Sequence, residues 1–249
     1  MRALRTRSGP EGSSLKDLGP LPRNLSGFFL PMKILFLFIC SIGFAQDHAE
    51  TTFTDIYEKR VWGQNAQGEG TSGYGSSVQI AAPYMKFLQD FVKKHNIQSI
   101  VDVGCGDWEF SQYLDWNGAH YTGIDVVKSV IEKDLQKFAS PTVTFHQADV
   151  VNKDLPPADL LICKDVLQHL TNDQIMQFAK QFSKFKHCLI TNDIEGAYAM
   201  TVKNGDIAQG QYRCIDLTLD PFNIKGAKAF TYLSSWDKKQ VLHIQNADH

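Results

Sequence analysis

The chain has 249 residues, 43% of them hydrophobic, and a formal net charge of −2 at neutral pH. This length suits one globular domain plus a terminal extension, with a core large enough to need no disulfide bonds. The near balance of charge, with no run of lysine or arginine in the body of the chain, predicts that nucleic acid is not the partner.

The first fifty residues are predicted to form an extension, 1–50, ahead of a folded domain over 51–249. Residues 32–45 combine Lys33, a short apolar run and small residues near its end, which is the pattern of a secretory signal peptide. The run is short for a membrane span, which needs about 20 apolar residues. An uncleaved membrane anchor is the alternative, and Met32 is an alternative start of the protein.

The rest of the chain predicts alternating strands and helices. A possible short helix followed by a glycine-rich loop or lid is predicted over 51–77, and the apolar spacing of 78–95 predicts an amphipathic helix packed on the core. Strands are predicted at 97–103, 121–124, 143–147, 159–163 and 187–191. Helices are predicted at 108–114, 127–138 and 171–185, with Thr171 as the N-cap of the last. The apolar stretches 230–236 and 241–245, around a polar segment 237–240, predict a C-terminal β-hairpin. This alternation indicates an α/β fold with a Rossmann-like open twisted sheet and helices on both faces.

The first strand carries one acid, Asp102, and runs into the turn Gly104-Cys105-Gly106. Glycines after a buried strand let the backbone turn sharply and approach a ligand closely. A dinucleotide-binding fingerprint requires a further glycine or alanine at the position of Glu109, and a carboxylate beside a pyrophosphate is electrostatically unfavourable. A nicotinamide-dependent oxidoreductase is therefore a weaker alternative, and no obvious Tyr-x-x-x-Lys pair supports it.

The pattern acid-x-Gly-x-Gly resembles the first motif of the class I S-adenosylmethionine-dependent methyltransferases, with Trp108 where that family often has a third glycine. The resemblance covers about 53–245 and is most specific over 100–193. It implies S-adenosylmethionine as cofactor, transfer of its methyl group to a small-molecule acceptor, and a reversed strand pair at the C-terminus. A non-catalytic module with the same fold is the alternative. S-adenosylmethionine is cytosolic whereas a signal peptide implies export or engagement of the membrane or the secretion machinery, so both locations stay open.

Polar side chains follow several of the predicted strands, at the edge where an open α/β sheet binds its ligands. Asp125 comes 19 residues after Gly106, a spacing suited to the ribose hydroxyls, and the resemblance places Asp149 near the adenine amino group. For each residue alone, an N-cap or a solvated loop carboxylate is the alternative. The predicted cofactor-binding residues are Asp102, Gly104, Cys105, Gly106, Asp125, Val126, Asp149, Val150, Lys164 and Asp165.

Catalytic and acceptor-binding candidates follow the fourth and fifth predicted strands. Asp165 and His169 are the catalytic candidates, His169 as a general base because its ordinary pKa lies near neutrality. A packing role at the start of the next helix is the alternative for His169. Arg213 offers a planar grip for a carboxylate or phosphate, with a salt bridge to a nearby acid as the alternative. The predicted acceptor-binding residues are Asn192, Asp193, Tyr212 and Arg213. The remaining histidines show no metal-ligand spacing.

Overall fold

A computed structural model of the chain describes residues 48–196 and 202–247. The predicted signal-like segment 32–45, and nearly all of the predicted extension 1–50, lie outside the described residues. Within those two ranges no helix is both long enough and apolar enough to cross a membrane.

The strands form a seven-stranded sheet in the order β3-β2-β1-β4-β5-β7-β6. The strands are β1 (Ser99–Val103), β2 (His120–Asp125), β3 (Val143–Gln147), β4 (Ala158–Lys164), β5 (Phe185–Gly196), β6 (Ala227–Ser234) and β7 (Asp237–Gln245). Strands β1 to β5 pair in parallel, and β7 lies antiparallel between β5 and β6. The predicted open parallel sheet with a reversed C-terminal hairpin is confirmed.

Helices cover both faces of this sheet because its central strands are apolar on both sides. The helices are α1 (48–58), α2 (Val78–Lys94), α3 (Lys128–Phe138) and α4 (Asn172–Ala179). On one face α2 packs its buried side chains, among them Leu88 and Val92, against Leu160 of β4. On the other face α1 and α4 enclose a second core, to which Phe178 contributes.

Helix α4 begins where the sequence predicts and ends earlier. Thr171 Oγ1 accepts a hydrogen bond from the backbone N–H of Gln174 at 3.2 Å, and the Gln174 side chain accepts from the Thr171 N–H at 3.0 Å. This capping box satisfies two N–H groups at the helix start. The helix ends at Ala179 because the following residues form a separate 3-10 turn, 182–184, and strand β5 already begins at Phe185. The prediction of a helix through 185 was wrong.

The predicted helix over 108–114 is only a 3-10 turn, Ser111–Tyr113. Trp108 accounts for the difference, because its backbone takes a φ of +53° that a helix does not allow. Its ring is buried against Tyr121, Phe138 and Phe145, with centroids 5.1–5.4 Å apart. The tryptophan thus adopts the left-handed backbone that glycine takes easily, and its apolar burial offsets the conformational cost.

The C-terminal hairpin turns two residues earlier than predicted. Strand β6 ends at Ser234, Ser235 takes a φ of +53°, and β7 starts at Asp237. The polar segment 237–240 therefore lies inside a strand rather than in the turn. Lys239 in that segment is only 3% exposed, because its ammonium group pairs with the carboxylates of Asp193 in β5 and of Asp165 just after β4.

Candidate active site

A cavity lies at the carboxyl ends of the parallel strands, where such a sheet binds ligands. All ten predicted cofactor-binding residues line this cavity, and so does His169. We call it the cofactor cavity. Their binding role remains a prediction, whereas the structure shows that the topology brings them together.

The Gly-x-Gly turn forms one wall of the cofactor cavity and tolerates no side chain at either glycine. Gly104 has a φ of +68°, and a Cβ there would lie 2.2 Å from the Val166 side chain. Gly106 has a φ of +58°, and a Cβ there would lie 2.1 Å from Ser72 Oγ. Both contacts are far too short, so glycine is required for the turn and for its neighbours to pack.

The glycine-rich segment after α1 covers this turn. Ser72 Oγ donates to a carboxylate oxygen of Asp107 at 2.7 Å and accepts from the Asp107 N–H at 2.8 Å. The hydroxyl of Tyr57, on α1, lies 2.8 Å from Ser72 Oγ. A second contact is made further on, where Gly75 O accepts from Lys164 at 3.0 Å. These hydrogen bonds dock the predicted loop onto the site.

Asp125 is fixed by the backbone at the end of β2. One carboxylate oxygen accepts from the Gly106 N–H at 3.2 Å and the other from the Val127 N–H at 2.9 Å. Burial raises the pKa of Asp125, while these N–H groups lower it in part. The carboxylate is therefore held in one orientation beside the cavity, with lone pairs left for a ligand that donates hydrogen bonds.

Two more carboxylates are oriented in a similar way. Asp149 accepts from the Val151 N–H at 3.0 Å and from the Asn152 amide at 2.7 Å. Asp102 accepts from the Tyr121 hydroxyl at 2.6 Å, and burial raises the pKa of Asp102 to about 7. A cationic or hydrogen-bond-donating ligand would stabilise the charged form of each group.

The donor and acceptor composition of the cavity matches S-adenosylmethionine better than a dinucleotide. The cavity has four carboxylates, and its one lysine, Lys164, is already bonded to Asp165 at 2.5 Å and to the carbonyl of Gly75. An ammonium group, ribose hydroxyls and an adenine amino group all donate hydrogen bonds, which these oxygens accept. A pyrophosphate would instead face carboxylates. The residues present therefore fit the cofactor that the resemblance implies.

A buried ion cluster, which we call the lysine clamp, joins the hairpin to the strand ends. Lys239 donates to Asp165 at 2.8 Å and to Asp193 at 2.6 Å. Burial alone would lower the pKa of Lys239, but the two carboxylates hold it above its ordinary value. Asp193 also accepts from the Tyr212 hydroxyl at 3.2 Å. Lys239 is not among the predicted site residues, and only its alternation with the exposed Lys238 could have indicated that it points inward.

His169 faces the cofactor cavity with one ring nitrogen committed. Its Nδ1 lies 2.9 Å from the backbone oxygen of Gln211, and a carbonyl can only accept, so Nδ1 carries the hydrogen. Burial lowers the pKa of His169 to about 4, so the ring is neutral at pH 7. Nε2 is then an unprotonated acceptor, as a general base requires. The ring also packs against Trp62, with centroids 4.9 Å apart, so packing and catalysis are compatible.

A second opening, the aromatic cleft, adjoins the cofactor cavity. Trp62, Ser72, Asp165 and His169 line both spaces. The other lining residues of the aromatic cleft are Gly73, Tyr74, Gly75, Gln168, Asp193, Tyr212, Ser234, Trp236, Asp237 and Lys239. Of the four predicted acceptor-binding residues, two line this cleft: Asp193 and Tyr212.

The other two predicted acceptor-binding residues, Asn192 and Arg213, do not line the cleft. Asn192 precedes Asp193 in β5, so its side chain points to the opposite face of the strand, where it is 3% exposed. Arg213 is 0% exposed and its guanidinium donates to the carbonyls of Leu167 and Gln168 and to the side chain of Asn172. An arginine enclosed in this way cannot grip an external anion.

Arg213 instead connects its own segment, by hydrogen bonds, to the loop that carries His169. Burial lowers the pKa of Arg213 to about 10, which leaves it charged at neutral pH. The nearby acid Asp216 pairs with Lys228 at 3.2 Å and not with Arg213. The guanidinium is held by neutral oxygens at 2.8–3.4 Å, so its removal would leave several buried acceptors unpaired.

We expect Arg213→Met to lower the free energy of unfolding by about 3 kcal/mol, because each buried acceptor left unpaired costs about 1–3 kcal/mol. The melting temperature should fall by roughly 6–12 °C, as measured by scanning calorimetry. The affinity for S-adenosylhomocysteine should stay within a few-fold of wild type. Lys203→Met, at an exposed position in the same segment, is the control and should leave the melting temperature unchanged. A stable Arg213 variant would contradict the structural role.

The described ranges 48–196 and 202–247 contain no group of three or more His, Cys, Asp or Glu side chains placed to hold a metal ion.

Comparison with known proteins gives one consistent result. A methyltransferase-domain family model matches residues 100–185. A small RNA 2'-O-methyltransferase of Gallus gallus is 25% identical over 135 residues, which are 46% of this chain and 35% of that protein. A ubiquinone biosynthesis O-methyltransferase of Coxiella burnetii is 30% identical over 81 residues, which are 31% of this chain and 35% of that protein. The chain thus spans about a third of the length of the curated relatives it matches.

Solved structures extend the likeness of fold to most of the chain. Magnesium protoporphyrin IX methyltransferase from Synechocystis PCC 6803, solved with bound S-adenosylhomocysteine, has a TM-score of 0.55 at 14% identity and covers 81% of this chain and 97% of its own. Human N-acetylserotonin methyltransferase, in complex with S-adenosylmethionine, has a TM-score of 0.50 at 16% identity, covering 80% of this chain and 60% of its own. Identities this low show the fold alone. The methyltransferase-domain match covers most of the strands that build the cofactor cavity, and over this region the chain is similar to the class I S-adenosylmethionine-dependent methyltransferases.

Proposed function

We propose that the protein transfers a methyl group from S-adenosylmethionine to a small-molecule acceptor bound in the aromatic cleft. The observation that carries this proposal is the junction of the two spaces. Asp165 and His169 line both the cofactor cavity and the aromatic cleft, so a group held in one space meets a group held in the other at these two side chains.

The cofactor residues divide according to the groups they would bind. Asp125, held by two backbone N–H groups, accepts from the ribose hydroxyls, and Asp149 accepts from the adenine amino group. Asp165 lies with Lys164 at the methionine end of the cavity. Each carboxylate also attracts the cationic cofactor, and this attraction is stronger in a buried cavity than in water.

When bound, S-adenosylmethionine supplies a methyl group already activated by its sulfonium. Transfer of this methyl group would join it to a lone pair of the acceptor atom, and the electron pair of the broken methyl–sulfur bond would stay on sulfur. The protein aligns the two partners, which can remove several kcal/mol from the barrier. Where the acceptor atom carries a proton, Nε2 of His169 takes it. The role of Asp165 is to orient Lys164 and Lys239 at this junction.

A small molecule suits the cleft better than a nucleic acid. One curated relative is a small RNA methyltransferase, but carboxylates outnumber cationic side chains in the lining of both spaces here. Nucleic-acid binding depends on lysine and arginine side chains that neutralise phosphates, and the two lysines that line these spaces, Lys164 and Lys239, are already paired with carboxylates. A non-catalytic binding module of the same fold remains the competing proposal, and it predicts cofactor binding without methyl transfer.

The test is cofactor binding by isothermal titration calorimetry. The purified protein should bind S-adenosylhomocysteine and show no comparable binding of NAD. Asp125→Asn should lower the affinity for S-adenosylhomocysteine by about tenfold or more, because charge-assisted hydrogen bonds contribute about 1.5–3 kcal/mol. Asn is preferred to Ala because it keeps an acceptor for one of the loop N–H groups. Asp90→Asn, on the exposed side of α2, is the control. Tight NAD binding without S-adenosylhomocysteine binding would refute the proposal.

A further inference from the structure

The geometry of the aromatic cleft points to the chemical class of the acceptor: an organic cation, with a protonated amine or quaternary ammonium group beside an apolar body. This inference rests on the proposed function, because it treats the aromatic cleft as the acceptor site. The charged group is the part that the cleft recognises, and the methylated atom is a separate amine nitrogen or hydroxyl oxygen that keeps a lone pair.

Aromatic rings from several parts of the chain line the cleft. The ring of His169 packs against Trp62 and Tyr212, with centroids 4.9 Å and 5.9 Å away. Tyr74 of the glycine-rich segment and Trp236 at the hairpin tip also line the cleft. The faces of such rings attract cations, and tryptophan attracts them most strongly.

Tyr74 and the hairpin tip are brought together by a contact between distant parts of the chain. The Ser235 hydroxyl donates to the Tyr74 hydroxyl at 3.1 Å, which brings the hairpin tip to the glycine-rich segment. Tyr74 is nevertheless 59% exposed and Trp236 67% exposed. Large aromatic rings left this open at the mouth of a cleft mark a binding surface rather than a core.

Carboxylates outnumber cations in the lining. The charged residues of the lining are Asp165, Asp193, Asp237 and Lys239, and His169 is neutral, so three negative charges stand against one positive, a formal charge of −2. Including Lys164, which lines the cofactor cavity and pairs with Asp165, the sum is −1. An anionic acceptor would be repelled, and a neutral one would gain nothing from this field. A cation gains from both the field and the rings.

A cationic acceptor must also be bound close to a cationic cofactor. Asp165 lines both spaces, so its carboxylate offsets positive charge on either side. Burial alone would raise the pKa of Asp165, but Lys164 and Lys239 hold it well below its ordinary range, which keeps the carboxylate ionised. The lysine clamp thus secures the negative charge at the junction.

The experiment measures the binding of three matched probes to the protein saturated with S-adenosylhomocysteine, by ligand-observed NMR titration. The probes are 2-phenylethylamine, 2-phenylethanol and phenylacetate, which share a phenyl ring and differ in charge. We expect the amine to bind at least several-fold more tightly than the alcohol, and phenylacetate to bind most weakly. Equal binding of the three, or preference for phenylacetate, would overturn the inference.

Variants at the hairpin tip test the cleft itself. Trp236→Leu keeps an apolar side chain but removes the ring face. It should lower the affinity for the amine about two- to fivefold and leave the affinity for the alcohol unchanged. Leu233→Ala, on the same hairpin and 74% exposed but outside the cleft, should change neither. An equal loss of affinity for all three probes in Trp236→Leu would contradict recognition of the cation.

The two proposals fail separately. If S-adenosylhomocysteine does not bind at all, the proposed function is wrong. If it binds normally and the probes show no preference for positive charge, only the assignment of the acceptor class is wrong.

Discussion

Replacing His169 by alanine is expected to lower kcat by about 10²–10⁴-fold for an acceptor that must lose a proton, because a positioned general base contributes about that factor. The affinity for S-adenosylhomocysteine should stay within a few-fold of wild type. Turnover is measured with S-adenosylmethionine labelled on its methyl group, using an acceptor found by screening amines and hydroxyl compounds. His146→Ala, at an exposed histidine of β3, is the control.

A second variant separates catalysis from packing. His169→Asn places an amide near Nδ1, so the hydrogen bond to the Gln211 carbonyl can be kept while the basic Nε2 is lost. If the base role is correct, the Asn variant is as slow as the Ala variant. Recovery of activity with Asn would show that His169 only packs against Trp62 and holds its loop.

The pH profile offers an independent test of the same role. Burial lowers the pKa of His169 to about 4, so the ring stays unprotonated as the pH falls below 6.5. At saturating S-adenosylmethionine, kcat/KM for the acceptor should therefore remain flat through pH 6.5, and the acid limb assigned to this group should lie well below it. An acid limb near 6.5 that disappears in His169→Asn would contradict a buried, neutral base.

The cofactor cavity was largely predictable because its residues follow strands that are themselves evident in the sequence. Asp125 and Asp149 come directly after short apolar runs, and parallel strands bring their carboxyl ends to one edge. The two glycines are predictable as well, because few residues other than glycine adopt the backbone conformation of that turn. The order in which these strands pair cannot be read from such local patterns, and the resemblance to a family indicated only the reversed strand pair at the C-terminus.

The acceptor side was predicted poorly because its long polar side chains depend on distant partners. Arg213 is bonded to residues 41–46 positions earlier in the chain, and Lys239 to residues 46 and 74 positions earlier. A lysine in a polar stretch predicts a solvated turn, and an arginine near a predicted site predicts an anion grip. Whether either is buried depends on whether tertiary structure supplies oxygens to receive its charge, which local sequence does not reveal.

Lys239→Met is expected to destabilise the protein by about 3–5 kcal/mol at neutral pH, because it leaves Asp165 and Asp193 buried without the cation they share. The loss should lower the melting temperature by on the order of 10 °C. Lys238→Met is the matched control, since Lys238 is 40% exposed and pairs with Glu195 at 3.2 Å on the outer side of the hairpin. An exposed pair contributes about 0–1 kcal/mol, so the control should be nearly neutral.

The destabilisation caused by Lys239→Met should become smaller as the pH falls. In the wild type the two lysines hold the pKa of Asp165 below its ordinary value, so this ion pair stabilises the fold above the unfolded-state pKa and is lost only as the pH falls through the lower folded-state value. Without Lys239, Asp165 and Asp193 lose a shared cation, and their folded-state pKa values move upward. Protonation then relieves the buried charge as the pH falls, so the difference from wild type should be large at pH 7.5 and smaller at pH 5. Urea unfolding at the two pH values measures this difference in the free energy of unfolding.

A difference that stays constant with pH, or that Lys238→Met reproduces, would show that Lys239 stabilises the hairpin by packing rather than by neutralising the two carboxylates.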